Sequence, residues 1–533
     1  MLQMDQALEK LRILADSAKY DVSCSSSGVE RKGKAGQMGS ASEAGICHSW
    51  AADGRCISLL KVLFTNKCVY DCEYCVNRRS GDTEKASFEP RELAELTMEF
   101  YRRNYIEGLF LSSAVEVSPD HTAERILEAL WILREEFGFL GYIHAKIIPG
   151  VSPELVHRIG LLADRLSVNV ELPSDESLAK LAPQKKPKGI FTPMKQITET
   201  MAEQKTLKGG GNKFSTVKYR GQDLSYLDLQ GGKQDPLTVA AALDYMDDKR
   251  GTLPFMAREE AARYGELQKY KEKFSPAGQT TQMIIGASPE SDRQILKLSE
   301  SMYKTFFMKR VYFSAYVPVV NSAKLPDVFT APPLEREHRL YQADWLLRFY
   351  GFEADEILND KYENLDLDVD PKVSWALRNI KNFPLEINKA SIEELLRVPG
   401  IGNVSAVRIV RHRKLAAVKF DDLKKMGVVV KRAKYFITCC GKYYGDIDPE
   451  PETVRPLLGD GMSGSGSVKD GVLVPQGVRI KDDRVDVIRG KISNRRDGVQ
   501  LSMFDGGFGS VRNGDPGNGF DGTQGGGFGG LSV

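Results

Sequence analysis

Leu59-Leu60-Lys61-Val62-Leu63-Phe64, followed by Lys67-Cys68-Val69-Tyr70-Asp71-Cys72-Glu73-Tyr74-Cys75, decides the fold. An apolar run of strand length leads into a loop with three cysteines, separated by three and then two residues. A strand ending in such a loop predicts thiolates at the carboxyl edge of a sheet, the edge where α/β folds do chemistry. Three thiolates in one short loop can each take one iron of a cubane cluster, leaving the fourth iron without a protein ligand. That open iron can hold a small chelating ligand. A zinc knuckle is the competing reading, but zinc asks for a fourth ligand at comparable spacing. Asp71 and Glu73 are poor candidates for it.

A chain of 533 residues suggests about two to four domains. The net charge is only +2, so a nucleic-acid partner would be met by a local basic patch rather than a global field. No apolar run reaches the ~18 residues of a membrane span. The N-terminus shows no signal peptide; instead Leu8, Leu11, Ala15 and Ala18 recur at helical spacing and predict an amphipathic helix that caps the fold. Eight cysteines without a secretion signal argue against a disulfide framework and for a reducing, cytoplasmic setting.

Residues 1–58 read as an N-terminal cap with extra cysteines. Cys24, Cys47 and Cys56 lie in turn-forming sequence, where an inert cysteine is unusual. With His48 they suggest a second metal centre; packing, or lining the mouth of the site, is the alternative. Strand-like segments follow at Leu59–Phe64, Gly108–Ser113, Gly141–Ile148, Arg165–Glu171, Thr280–Gly286 and Arg310–Val317. Helix starts lie between them: Ser118-Pro119, Ser152-Pro153 and Ser288-Pro289 each offer an N-cap hydroxyl and a first-turn proline, and Glu89-Pro90 varies the theme. Repeated βα units imply a parallel sheet with right-handed crossovers. Residues 205–235 read as an inserted, partly disordered loop, either a tolerated surface insertion or a cover for substrate. His144 and Lys146 share one face of the third strand and could enter the site. Asn77, Arg78 and Arg79 follow the cysteine loop, and the arginines suit either an anion or solvent.

The cysteine spacing, with aromatic Tyr74 before the third cysteine, resembles that of the radical S-adenosylmethionine (SAM) enzymes. The resemblance implies a partial (β/α)6 TIM-like barrel over residues 59–335; a closed barrel would need eight strands. It implies a 4Fe-4S cluster on Cys68, Cys72 and Cys75, with SAM on the open iron and an external electron donor. Reductive cleavage of SAM would yield a 5′-deoxyadenosyl radical. The positions matching the family's SAM contacts, besides Tyr74, are Ser112 and Ser113 for the amino group, Asn169 and Glu171 for ribose and carboxylate, and Gln282 and Gly286 beside the adenine. The family often has Gly and Glu where this chain has Ser112, Ser113 and Ala114, so contact there would be through hydroxyl or backbone. Ordinary strand-end hydrogen bonding is the alternative role for Asn169 and Glu171.

Residues 336–384 read as linker and helices, with an acidic stretch from Asp355 to Asp370. Within 385–445, Ser391 and Glu394 form a capping box, and Pro399-Gly400-Ile401-Gly402-Asn403 stops one helix before another begins. This resembles a helix-hairpin-helix DNA-binding domain, small and all-α, with a weaker second copy at Leu423–Ile437 centred on Gly427. Such a hairpin offers helix N-terminal amides to a phosphate and reads little sequence. The segment holds thirteen Lys and Arg against five Asp and Glu; an αα-hairpin for protein contacts is the alternative. Cys439 and Cys440 fall in the apolar run of its last helix. Residues 446–533 read as a disordered tail carrying Gln500-Leu501-Ser502-Met503-Phe504, which resembles the sliding-clamp peptide of replication and repair proteins. The whole resembles a family of DNA modification or repair radical SAM proteins associated with uracil-DNA-glycosylase-like proteins, most closely at 24–27, 47–80 and 395–409. An RNA-modifying radical SAM enzyme and a non-enzymatic iron–sulfur DNA-binding protein are the rival readings.

Overall fold

A computed structural model describes residues 2–18, 25–26, 46–50, 56–207, 217–219, 222–224, 274–459, 468–469 and 472–473. Its main sheet is built from β1 (Ser25–Ser26), β2 (Ile46–Trp50), β3 (Cys56–Leu63), β4 (Gly108–Ser112), β5 (Tyr142–Lys146), β6 (Arg165–Ser167), β9 (Gln279–Ile285) and β10 (Arg310–Ala315), in that spatial order. β7 (Val217–Tyr219) and β8 (Gln222–Leu224) form a separate hairpin inside the insertion. From β3 to β10 every pairing is parallel, and β10 does not return to β3. The result is the open six-stranded half-barrel expected from the sequence, extended at the β3 edge by the antiparallel β1–β2 ribbon.

Helices α1 (Leu2–Ala18), α2 (Pro90–Arg102), α3 (Pro119–Trp131), α4 (Pro153–Leu162), α5 (Asp175–Leu181), α6 (Pro187–Leu207), α7 (Asp292–Phe306) and α8 (Leu334–Phe349) accompany the sheet. Alternation along the strands sorts the side chains. Leu60, Val62, Leu109, Leu111, Ile143 and Ala145 belong to the core shared with the helices, while Lys61, Ser112, His144, Ser167, Asn169 and Gln282 form a buried polar lumen. In α1, Ala7, Leu11, Leu14, Ala15 and Ala18 make the buried stripe; of the expected residues Leu8 is exposed, and Ala7 takes its place at the start of the stripe. Helix α7, between β9 and β10, is capped by Ser291 rather than starting at Ser288-Pro289, because Ser291 and Gln294 complete a capping box. The fourth strand's ladder stops at Ser167. Glu171, with φ of +70°, rejoins the sheet as a single bridge to Met283.

The carboxyl-terminal part contains α9 (Ala354–Ile357), α10 (Pro371–Arg378), β11 (Leu385–Glu386), α11 (Ile392–Arg397), α12 (Asn403–His412), α13 (Phe420–Lys425), α14 (Val430–Ala433), β12 (Ile437–Cys439), β13 (Lys442–Tyr443) and α15 (Pro451–Leu458). The module is therefore not purely helical, since β11, β12 and β13 close it as a small sheet. Cys440 and Gly441 both have positive φ, a type I′ turn between β12 and β13. Cys439 is thus a buried strand residue, and Cys440 is exposed on the turn rather than packed in a helix.

The acidic stretch is pinned rather than loose. Asp355 meets Arg293 and Lys297, Asp366 pairs with Arg455, and Asp370 caps α10 and pairs with Arg432. Arg397 of α11 binds both Glu356 oxygens at 2.6 and 2.8 Å, donates to the carbonyls of Tyr350 and Gly351, and lies 3.9 Å from the Phe352 ring centroid. Arg397→Ala should lower stability by about 3 kcal/mol, the scale of breaking a largely buried pair, measured as a denaturant midpoint shift. Lys372 is buried on α10 and donates to the Ile401 carbonyl at 2.6 Å. Burial pushes its ammonium down to about 7, against partial support from Asp370. Between that value and its unfolded value near ~10.4 the unfolded chain holds a proton the folded chain lacks, so stability should rise with pH there and be flat below. Lys372→Met should remove that rise in pH-dependent denaturation.

Candidate active-site cleft and nucleic-acid interface

The cysteine loop is held from several sides. The Val69 amide donates to the Val115 carbonyl at 2.7 Å, Glu73 to Leu181 at 2.8 Å, and Arg79 to Tyr70 at 2.9 Å. Asp71 accepts from the Ser80 amide and hydroxyl at 3.1 and 2.7 Å, and that pair holds its carboxyl below the usual range. Glu73 accepts from Lys324 at 2.8 Å and Ser322 at 3.0 Å, with Arg78 3.5 Å away. Asp71 and Glu73 are thus committed to the scaffold, and Arg78 is tied to Glu73. Lys85 closes the far side by donating to the carbonyls of Asn66, Asn77 and Arg78.

Cys68, Cys72 and Cys75 line one cleft at the carboxyl edge of the parallel strands. Burial pushes the Cys75 thiol up to about 12, with Cys72 adding to the shift. Burial also raises Cys72, reinforced by Glu171 and Cys68 and opposed by Lys185. A multiply charged cation placed among these sulfurs reverses that balance and favours thiolates. As placed, no three His, Cys, Asp or Glu side chains among the described residues form a cage for one metal ion. A cubane puts each thiolate on a different iron, so its three sulfurs need not converge on one point.

The same cleft is lined by Tyr74, Ser112, Ser113, Asn169, Glu171 and Gln282 from the SAM-contact expectation, and by Lys146 and Asn77. Gly286 is not in the lining. Its φ is +86°, and a Cβ there would come 2.7 Å from Pro333, which gives the glycine a packing reason. His144 lies deeper in the lumen, its Nε2 2.9 Å from the Ser167 hydroxyl and its ring edge-on to Phe110. Two further lining residues escaped the sequence reading, Lys185 and Tyr316. Lys185 Nζ sits 2.8 Å from Glu171 and 3.4 Å from the Tyr74 hydroxyl. Burial is the largest single influence and would lower its ammonium, but Glu171, Tyr74 and Cys72 together outweigh it and hold it well above its ordinary value. A lysine flanked by Ala182-Pro183-Gln184 and Lys186-Pro187 carries no motif that would have flagged it.

Buried polar atoms normally have partners. Here Ser112 Oγ, Ser113 Oγ, Gln282 Oε1, Asn77 Oδ1 and the Tyr316 hydroxyl are buried without one, and all five residues line the cleft. A ligand carrying several polar groups would satisfy them, so the donor set fits SAM beside a thiolate-held cluster. Of the extra cysteines, Cys24 lies outside the described residues. Cys47 stands opposite Leu59 and Cys56 opposite Trp50, at opposite ends of the β2–β3 ladder.

At the second site, Ser391 and Glu394 form the expected capping box, with bonds of 2.6 and 3.1 Å. α11 then ends, and Gly400 turns the chain at φ of +86°. Pro399 and Ile401 are buried, so they serve the hairpin's core rather than a ligand; Asn403 is exposed. The Val429 amide donates to the Gly400 carbonyl at 2.9 Å, docking the second hairpin on the first, and Gly427 there repeats the φ of +86°. Gly402 supplies no side-chain cap to the ten-residue α12, so its first-turn amides have no partner within the helix. Residues 382–431 match the family described as "Helix-hairpin-helix motif".

The chain carries a helix-hairpin-helix motif.

In this motif the uncapped N-terminus of α12 is the surface suited to a phosphate; the exposed Arg411 and Lys414 lie at the other end of the helix. No curated protein matches the chain. Among solved structures it is similar to the FeFe-hydrogenase maturase HydG from Carboxydothermus hydrogenoformans, at 12% identity and TM-score 0.24 over 53% of this chain and 65% of that one. A second HydG structure aligns at 13% identity and TM-score 0.23 over 68% of this chain and 78% of that one. The chain thus spans about two thirds of the first of these relatives. No helix among the described residues is long and apolar enough to cross a membrane.

Proposed function

We propose that this chain is a radical SAM enzyme that acts on nucleic acid, in DNA modification or repair. One observation carries the reading: a cleft where Cys68, Cys72 and Cys75 share a wall with the unpartnered polar atoms of Ser112, Ser113 and Gln282. The bound cluster and SAM would supply a 5′-deoxyadenosyl radical that abstracts hydrogen from a base or sugar. The three cysteines hold the cluster, and Tyr74 packs beside them. Ser112 and Ser113 offer hydroxyls to the amino end of SAM, Asn169 and Glu171 serve ribose and carboxylate, and Gln282 reaches the adenine. Lys185 fixes the Glu171 carboxylate by its 2.8 Å ion pair. Val115, Ile147, Ile148 and Val317 give the cleft an apolar wall, which limits water around the reacting groups.

The helix-hairpin-helix motif would hold phosphates without reading sequence, so the reacting atom is selected by positioning. A recessed cleft favours an extruded or already unstacked nucleotide, which costs least to present. An external electron donor, a uracil-DNA-glycosylase-like protein and a sliding clamp are the partners in this reading. The clamp peptide, Gln500, Leu501 and Phe504, lies outside the described residues. Calorimetric titration of SAM into anaerobically reconstituted protein tests the cleft. Ser112→Ala with Asn169→Ala should weaken SAM by about tenfold or more, at about 1 kcal/mol per lost hydrogen bond; unchanged affinity would remove these residues from the site.

A further inference from the structure

The last two turns of α8 expose Trp345 and Phe349 at 46% and 37%, whereas Ala343, Leu346 and Leu347 of the same helix are buried. The two rings lie 4.3 Å apart at 46° and form one aromatic surface. Arg348 braces it, 4.7 Å from the Phe349 ring centroid, while its own charge is taken by Asp344 at 2.8 Å. This surface is attached to the hairpin. Asn403 Nδ2 donates to the Phe349 carbonyl at 3.0 Å, and Tyr350, the next residue, brings its hydroxyl to the same turn. That hydroxyl is 3.2 Å from where a Cβ on Gly402 would stand. Val404, directly after Asn403 in the first turn of α12, is 62% exposed.

Large exposed aromatics beside a phosphate-binding turn are the two halves of a nucleotide site: amides for the phosphate and a π-face for the base. Duplex bases are already stacked, so such a face is open only to an unpaired one. We propose that Trp345 and Phe349 form a stacking platform for an unpaired base on the strand whose phosphate rests on the Gly402–Asn403 turn. The proposal rests on the nucleic-acid reading above. It takes support from the continuity of the patch with the hairpin and from the module's excess of eight basic residues, thirteen against five. It makes the chain prefer duplexes with a single-stranded extension, gap or extruded base over a blunt duplex.

Fluorescence anisotropy of the full chain on a blunt duplex, a duplex with a single-stranded extension and a free single strand tests this. Trp345→Ala combined with Phe349→Ala should weaken the two single-stranded ligands by about tenfold and leave the blunt duplex within about twofold. Trp345→Phe should retain most of the single-strand affinity, and the quenching of tryptophan emission by single strands seen with the native chain should fall in it. Equal loss on all three ligands would overturn the platform in favour of a groove contact or hairpin support. No loss on any would show that something else covers the patch. Failure of the native chain to bind any of the three would instead sink the nucleic-acid reading itself.

Discussion

Cys72→Ala is expected to abolish cluster assembly. Reconstitution with iron and sulfide should leave iron content and charge-transfer absorption at background, while far-UV circular dichroism stays native. The sulfur is buried in the main core, 5% exposed, so its removal leaves a cavity smaller than one methyl-scale truncation, worth about 1 kcal/mol. That loss leaves a domain of this size folded. The functional loss is far larger, because a cluster with two thiolates in place of three has two irons without protein ligands. Cys439→Ala is the matched control: it also removes a buried thiol, on β12, and should leave iron loading unchanged. Iron persisting after all three loop cysteines are replaced would assign a second centre to Cys24, Cys47 and Cys56. A metal-free product would end that idea.

The second large effect is expected at the hairpin. Gly400→Glu looks like the natural test from sequence, but Gly400 has φ of +86° and an added Cβ would come 2.6 Å from the Val429 carbonyl. That variant would test folding. Val404→Glu is the cleaner probe, since the side chain is exposed and sits in the first turn of α12. A carboxylate there favours the helix, because it faces the positive end of the dipole. For the same reason it competes with a phosphate for the same amides. Duplex binding should weaken by about tenfold or more, and the dependence of affinity on salt should flatten by about one phosphate's worth. Full, salt-sensitive binding by the variant would remove the hairpin from the interface.

Much of this was legible in the chain because its signals are local. A strand-length apolar run, three cysteines and Ser-Pro helix starts are read within a few residues, and the half-barrel follows from repeating them. The capping box at Ser391 and the glycine turn at Gly400 are equally local. What escaped is long-range. Lys185 matters only because α5 and α6 bring residue 185 beside Glu171 and Tyr74. The acidic stretch reads as a linker until Arg293, Arg432 and Arg455 are seen to meet it. Gly286 reads as an adenine neighbour, yet Pro333, nearly fifty residues on, explains it through packing. Cys440 was misread because its turn uses Cys-Gly where Asn-Gly would have announced a hairpin.

The most direct measurement of the central claim is 5′-deoxyadenosine release. The anaerobically reconstituted full chain is supplied with dithionite and SAM, alone, with duplex DNA carrying a single-stranded gap, and with structured RNA. The account predicts release that depends on Cys72 and is stimulated by the DNA. Product that ignores DNA and responds to RNA would move the substrate to RNA, and no product under any condition would contradict the assignment to radical SAM chemistry.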